Sequence, residues 1–398
     1  MDKKTIKDIC VINPSKKLPI LPETEISFLP MEAVSTDGLI NLSGKIQFNK
    51  TQGYSVFQNG DVLFAKITPC MENGKGAVVH SLLNNYGAGS TEFIVLRPLP
   101  ETIISKYLYY FMQQKTFRLN CQQNMTGSAG QKRVPIKYLE RYTIPVPPLP
   151  EQERIVAKIE ELFSQLDGAV AELKSVKEKL KLYRNSVIDS YIKFPKTLQL
   201  RECIVEMGQG WSPKCENTSV LSNDEWAVIK TTAIQPGNFC FEENKKLPAN
   251  LSPRLQHEIK VDDILITRAG PKSRCGVCCL VKKTKKKLLN CDKVYCLKLN
   301  NAVILPQYLE LVLNSPEFLK KIDLCKTGGN DSGLNLTQSR FLAIEIPIST
   351  LDNQQKAINQ IEARLSACSN IEQTVDTALQ QAAALRQSIL KQAFEGNL

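Results

Sequence analysis

PVPPLPEQERIVAKIEELFSQLDGAVAELKSVKEKLKLYRNSVIDSY, residues 145–191, opens with four prolines and contains none after Pro150. Proline fixes φ and is accepted in the first helical turn, so the prolines enforce an extended lead-in and then release the chain into a helix. Glu151 and Glu153 place negative charge at the helix start, where the dipole favours it. Behind them Ile155, Ile159, Leu162, Leu166, Ala169, Leu173, Val176, Leu180, Tyr183 and Val187 alternate steps of four and three. That spacing predicts a coiled-coil seam, and about 40 residues at ~1.5 Å each make a rod of roughly 60 Å. Gly168 is a weak point where the rod is expected to bend.

The stretch has a second copy near the C-terminus. Ile346-Pro347 lies 202 residues after Ile144-Pro145, and the same shift sets Gln354 on Gln152, Lys356 on Arg154 and Ile361 on Ile159. Tyr183-Arg184-Asn185-Ser186 meets Leu385-Arg386-Gln387-Ser388. At this second helix Asp352 is the expected N-cap, with Gln355 as capping-box partner, and the seam is expected to slip near Ile371.

The globular stretches repeat as well. GDVLFAKITP at 60–69 matches DDILITRAGP at 262–271, so Asp61 falls on Asp263 and Lys66 on Arg268. Tyr107-Leu108 matches Tyr308-Leu309. Strands are predicted at 26–29, 61–67, 77–80 and 92–96, a helix at 103–119, and a linker at 192–200. The fold class is therefore α+β: two mixed α/β domains, at 1–144 and 192–345, joined by helical regions at 145–191 and 346–398 in a pseudo-two-fold repeat. A pair of closely matched helices carrying two diverged globules reads as one frame holding two differently specialised readers.

With 398 residues and 42% hydrophobic content the chain has material for two or three real cores. No apolar run reaches membrane-spanning length and the start lacks a signal core, which points to a cytoplasmic protein with no membrane partner. Thirteen cysteines, an odd count, then read as mostly free thiols. The net charge is +11, and the helical regions are nearly balanced, so the excess lies on the globules. A basic globule fits a polyanion partner, and it equally fits ordinary solubility charge.

No HExxH, nucleophile elbow, Ser/His/Asp pattern or Walker loop is present, and only two histidines exist. GAGS at 87–90 and GQGW at 208–211 read as turns rather than nucleotide loops. Cys275, Cys278, Cys291 and Cys296 have a spacing that zinc accepts; as strand residues they would serve as small apolar side chains. Candidate DNA contacts are Lys66, Lys75, Lys132 and Arg133 in the first domain and Arg268, Lys272, Lys282 and Lys283 in the second. Lys66 and Arg268 stand out because the same charge recurs at the same place; KKTKKK at 282–287 also suits a solvated turn.

PLPEQERIVAKIEELFSQLD at 148–167, GDVLFAKITPCMENGKG at 60–76, GSTEFIVLRP at 89–98, TGSAGQK at 126–132, GWSPKCE at 210–216 and FEENKKLP at 241–248 together resemble the DNA-specificity subunits of type I restriction-modification systems. The second helix departs from the pattern, with STLDNQQKAI in place of PPLPEQERI. The resemblance implies two target-recognition domains, each reading half of a bipartite double-stranded DNA sequence, on an antiparallel coiled coil that sets the spacing. It implies two methyltransferase subunits and restriction/translocase subunits as partners, with S-adenosylmethionine, ATP and Mg held by those partners and no catalysis by this chain. Two other readings remain: a coiled-coil scaffold without sequence-specific DNA binding, and a nuclease built on carboxylates such as Asp61 and Asp263.

Overall fold

The computed structural model describes residues 2–128 and 130–398; Ala129 of the TGSAGQK motif and Met1 lie outside them. The chain forms two compact units, Met1–Lys174 with Asp376–Leu398, and Ser175–Val375. Each contains one globule and a part of both long helices, Leu149–Tyr191 and Leu351–Glu395.

In the first unit a four-stranded antiparallel sheet runs Cys10–Ile12, Phe93–Pro98, Val62–Ala65, Gly76–Val78. Strand alternation divides its side chains. Val62, Phe64, Ile94 and Leu96 enter one core with the helices, while Leu63, Ala65, Phe93 and Val95 enter another on the opposite face. A second sheet runs Lys45–Gln47, Glu25–Leu29, Tyr86–Gly89, Ser55–Gln58. GAGS belongs to this sheet, and its glycines are packing residues: a Cβ on Gly87 would lie 2.3 Å from the Phe57 ring, and one on Gly89 2.2 Å from the Leu29 carbonyl oxygen.

The second unit repeats the plan. Ile204–Gln209, Val294–Leu299, Ile264–Thr267 and Cys278–Leu280 form the antiparallel sheet, and Asn244–Lys246, Ala227–Ile229 and Leu288–Leu289 the smaller one. Residues 192–200 are not a linker. Lys196–Gln199 pairs with Glu345–Ile348, as Lys3–Thr5 pairs with Thr143–Pro145 in the first unit. Extended backbone leading out of a helix found a partner strand there, which satisfies its N–H and C=O groups.

The predicted helix at 103–119 is two, Ser105–Met112 and Lys115–Gln123, because Gln114 turns extended (φ −63°, ψ 135°) and redirects Phe117 and Cys121 into the core that holds Phe111 and Met112. The second unit has the same break between Pro306–Leu313 and Pro316–Leu324, where the Pro316 ring disfavours helical geometry at Ser315.

Polar locks repeat with the sheets. Gln152 is fully buried; its Oε1 accepts the Ile104 N–H (2.9 Å) and its Nε2 donates to the Thr102 (3.0 Å) and Pro147 (2.8 Å) carbonyls. Gln354, equally buried, accepts the Leu305 N–H (2.9 Å) and donates to Val303 (2.9 Å) and Ser349 (3.0 Å). Tyr107 donates its hydroxyl to the Pro145 carbonyl (3.0 Å), and Tyr308 to that of Pro347 (3.1 Å). Asp61 accepts from Gln58 N–H (2.9 Å) and from Arg97 Nε (2.8 Å); Asp263 accepts from Lys260 N–H (2.8 Å) and from Lys298 Nζ (2.6 Å). These two carboxylates are buried strand anchors, which is the work of a turn aspartate rather than of a catalytic one.

The long helices pair antiparallel within each unit. In the first, Arg154 reaches the Leu398 carbonyl (2.9 Å), while Arg386 pairs with Asp167 (2.6 Å) and lies 3.9 Å over the Phe163 ring. In the second, Arg184 bonds Glu372 (2.9 Å) and the Ser369 hydroxyl (3.1 Å), and Arg364 lies over Tyr191. The seam of the second helix does not slip. Ile361, Leu365, Cys368, Glu372 and Val375 in one unit, and Leu379, Ala382, Arg386, Ile389 and Ala393 in the other, are all buried or half-buried in unbroken steps of four and three. Ile371 is exposed and off the seam; Glu372 and Arg386 occupy seam positions as paired charges. On the first helix Ile155, Ile159 and Val187 are buried, but Ala169 and Tyr183 are exposed, and Phe163 is buried outside the expected pattern. The helix continues through Gly168. Thr350, not Asp352, caps the second helix: its Oγ1 accepts the Asn353 N–H, while Asp352 pairs on the surface with Lys356.

Candidate nucleic-acid interface

Lys66 and Arg268 are structural twins. The Lys66 N–H donates to the Glu92 carbonyl (2.9 Å) and its own carbonyl accepts from Val134 (2.9 Å); Arg268 does the same with Lys293 (2.8 Å) and Leu336 (2.7 Å). Their side chains also share a task. Lys66 Nζ donates to the Thr91 carbonyl (2.7 Å) and Arg268 Nε to the Asp292 carbonyl (2.9 Å), and the Arg268 guanidinium faces the Tyr295 ring at 5.7 Å. Each half-buried cation thus closes the turn that leads into the central strand of its sheet.

The other sequence candidates divide by engagement. Lys75 donates to the Met31 carbonyl (2.8 Å). Arg133 grips Glu92 through Nε and Nη2 (3.0 and 2.8 Å), and this hydrogen bonding holds the Glu92 carboxyl below its usual range. Lys132 is exposed and its ammonium has no partner among the described residues. Lys272 stands 4.0 Å from Asp331 with both side chains mostly in water, an arrangement worth little. Lys283 lies 5.9 Å over Phe241. Lys282 pairs at 3.5 Å with Glu310. Burial pushes the Glu310 carboxyl up, against the Leu280 N–H and Lys282, which favour its charged form. KKTKKK is therefore not one patch: Lys285 points inward and is buried, donating to the Ser222 (2.7 Å) and Glu225 (2.8 Å) carbonyls.

Reading along the chain missed a different set. Lys214, Lys245 and Lys293 line one cleft of about 620 Å³ in the second unit, together with Ser212, Asp292 and Thr231. The three lysines come from an irregular segment, a strand and a turn far apart in sequence. The only available signal was that Lys214 and Lys245 fall inside GWSPKCE and FEENKKLP.

The cysteines do not converge. Cys275 and Cys278 point into the core shared with the helices, Cys279 and Cys291 into the core on the other sheet face, where half-buried Cys296 also packs. Burial raises each of these thiols, Cys291 to about 11 and Cys296 to about 12. Among the described residues no three His, Cys, Asp or Glu side chains gather in a way that would hold a metal ion. None of the described helices is long and apolar enough to cross a membrane.

Residues 1–178 match the family described as the type I restriction modification DNA specificity domain. The chain is 30% identical to the EcoEI type I restriction enzyme specificity subunit of Escherichia coli, over 94% of this chain and 79% of that protein. Two solved structures share the fold at 18% identity. One, from work on complex assembly and conformational transition of a type I restriction-modification system, gives a TM-score of 0.79 over 100% of this chain and 98% of its own. The other, the HsdS subunit from Thermoanaerobacter tengcongensis, gives 0.59 over 100% and 97%. The doubled α+β plan, the paired helices and the extent of the EcoEI match lead to one assignment: the chain belongs to the family of type I restriction enzyme specificity subunits.

Proposed function

We propose that this chain is the DNA-reading, non-catalytic member of a type I restriction-modification complex in the cytoplasm. Each globule reads one half of a bipartite duplex target, and the helices set the gap and seat two methyltransferase subunits, one for each copy of the repeat. Restriction/translocase subunits join that core. S-adenosylmethionine, ATP and Mg act on the partners. The observation that carries this reading is that the two units share their buried locks, Gln152 with Gln354 and Tyr107 with Tyr308, while their solvent-facing charges differ. A common frame with unlike faces suits two readers of unlike sequences. Among the sequence candidates, Lys132, Lys272 and Lys283, exposed at the surface, are the ones we assign to phosphate contact.

The test is reconstitution. The purified chain should bind duplex DNA but transfer no methyl group from S-adenosylmethionine, and methylation should appear when the methyltransferase partner is added. Methyl transfer by the chain alone, or failure to bind duplex DNA, would overturn the proposal.

A further inference from the structure

The cleft lined by Lys214, Lys245 and Lys293 is unlike the surroundings of Lys66 and Arg268. None of its three ammonium groups has an ion-pair or hydrogen-bond partner among the described residues. The fourth lysine on its wall, Lys230, is paired with Glu243 at 3.4 Å. The one carboxylate lining it, Asp292, takes the Ser212 hydroxyl. Three ammonium groups set against one carboxylate leave this concavity net positive, and a polyanion relieves the remaining repulsion.

The repeat sharpens the point. Lys293 occupies the place that Glu92 holds in the first unit: its carbonyl receives the Arg268 N–H as the Glu92 carbonyl receives that of Lys66. Glu92 is an anion already neutralised by Arg133. At the same position one unit therefore offers a closed ion pair and the other a free ammonium. Lys245 lies on Asn244–Lys246, which pairs antiparallel with Ala227–Ile229 just as Lys45–Gln47 pairs with Glu25–Leu29. The difference thus lies in the charges and not in the strand plan.

We propose that Lys214, Lys245 and Lys293 hold the phosphodiester backbone of duplex DNA, and that the second unit supplies the larger share of the chain's salt-dependent grip. The inference rests on the DNA-reading function above and adds which residues anchor the duplex and which unit does so. Asp292 and the Ser212 hydroxyl, bonded to one another, sit in the same cleft.

The experiment is a salt series, between about 50 and 200 mM, of full-length chain binding to a random-sequence duplex. The slope of log affinity against log salt should become shallower by about 0.9 for each of Lys214→Gln, Lys245→Gln and Lys293→Gln, and by roughly 2.7 for the triple variant. Lys293→Glu, which installs the first unit's charge, should weaken binding more than Lys293→Gln. Native tryptophan fluorescence, from Trp211 and Trp226 of the second unit, confirms that each variant is folded. If wild-type chain binds with a salt slope that the triple variant retains, the cleft is not the anchor and the inference falls while DNA reading stands. If wild-type chain shows no salt-dependent binding, the DNA-reading function falls with it.

Discussion

Replacing Gln354 by leucine isolates the lock that joins the second long helix to its globule. Leucine is close to glutamine in volume, so the change removes polar partners without opening a large cavity. It strands the Leu305 N–H and the Val303 and Ser349 carbonyls, all bonded to one fully buried side chain. An unsatisfied buried backbone group costs about 1–3 kcal/mol, and relaxation toward water spares part of it, so the sum should be roughly 3–6 kcal/mol. Gln354→Glu keeps the acceptor, loses both donated bonds and buries a carboxyl, and so should recover partly as pH falls. Both tryptophans, Trp211 and Trp226, lie in the second unit, so chemical denaturation followed by their fluorescence reports that unit alone. The midpoint should fall markedly in Gln354→Leu and little in Gln152→Leu, whose lock belongs to the other unit. A loss below about 1 kcal/mol for Gln354→Leu would refute the view that this residue fixes the helix to the sheet domain.

Removing seven residues in register from each long helix keeps both seams in phase and shortens them by roughly 10 Å, about three base pairs. The methylated half-sites should persist with a shorter gap, and an unchanged gap in the methylation map would show that the helices do not set it. Glu310 gives a pH signature. Its carboxyl is raised by burial, so the folded state holds the proton more tightly than the unfolded one. Unfolding free energy should therefore decline as pH rises from the ordinary carboxylate range through the raised value, and Glu310→Gln should flatten that decline. Parallel profiles for the two proteins would show that the group carries no such linkage.

Much of this architecture could be read from the chain because the repeat preserves spacing where it loses identity. Gln152 and Gln354 align 202 residues apart, as do Asp61 and Asp263. What each lock holds was not legible, since a glutamine in a first helical turn says nothing about which distant carbonyls will meet it. The second helix seemed to slip because an apolar rule has no place for Glu372 and Arg386, which sit in the seam as paired charges. Charge was the hardest to read. KKTKKK is conspicuous along the chain, yet folding sends Lys285 into the interior, whereas Lys214, Lys245 and Lys293 become neighbours only once an irregular segment, a strand and a turn come together. Lys66 and Arg268 were rightly paired as twins, and the fold shows that what they share is the carbonyl-capping contact.

In the proposed function each unit reads its own half of one DNA target. The most direct measurement is a genome-wide map of modified bases in cells expressing this chain with its methyltransferase, compared with cells in which the second globule, residues 192–345, is replaced by that of another specificity subunit. The expected result is a bipartite motif with a fixed gap, in which the exchange alters one half and leaves the other intact. A single contiguous motif, or an exchange that changes both halves or neither, would contradict it.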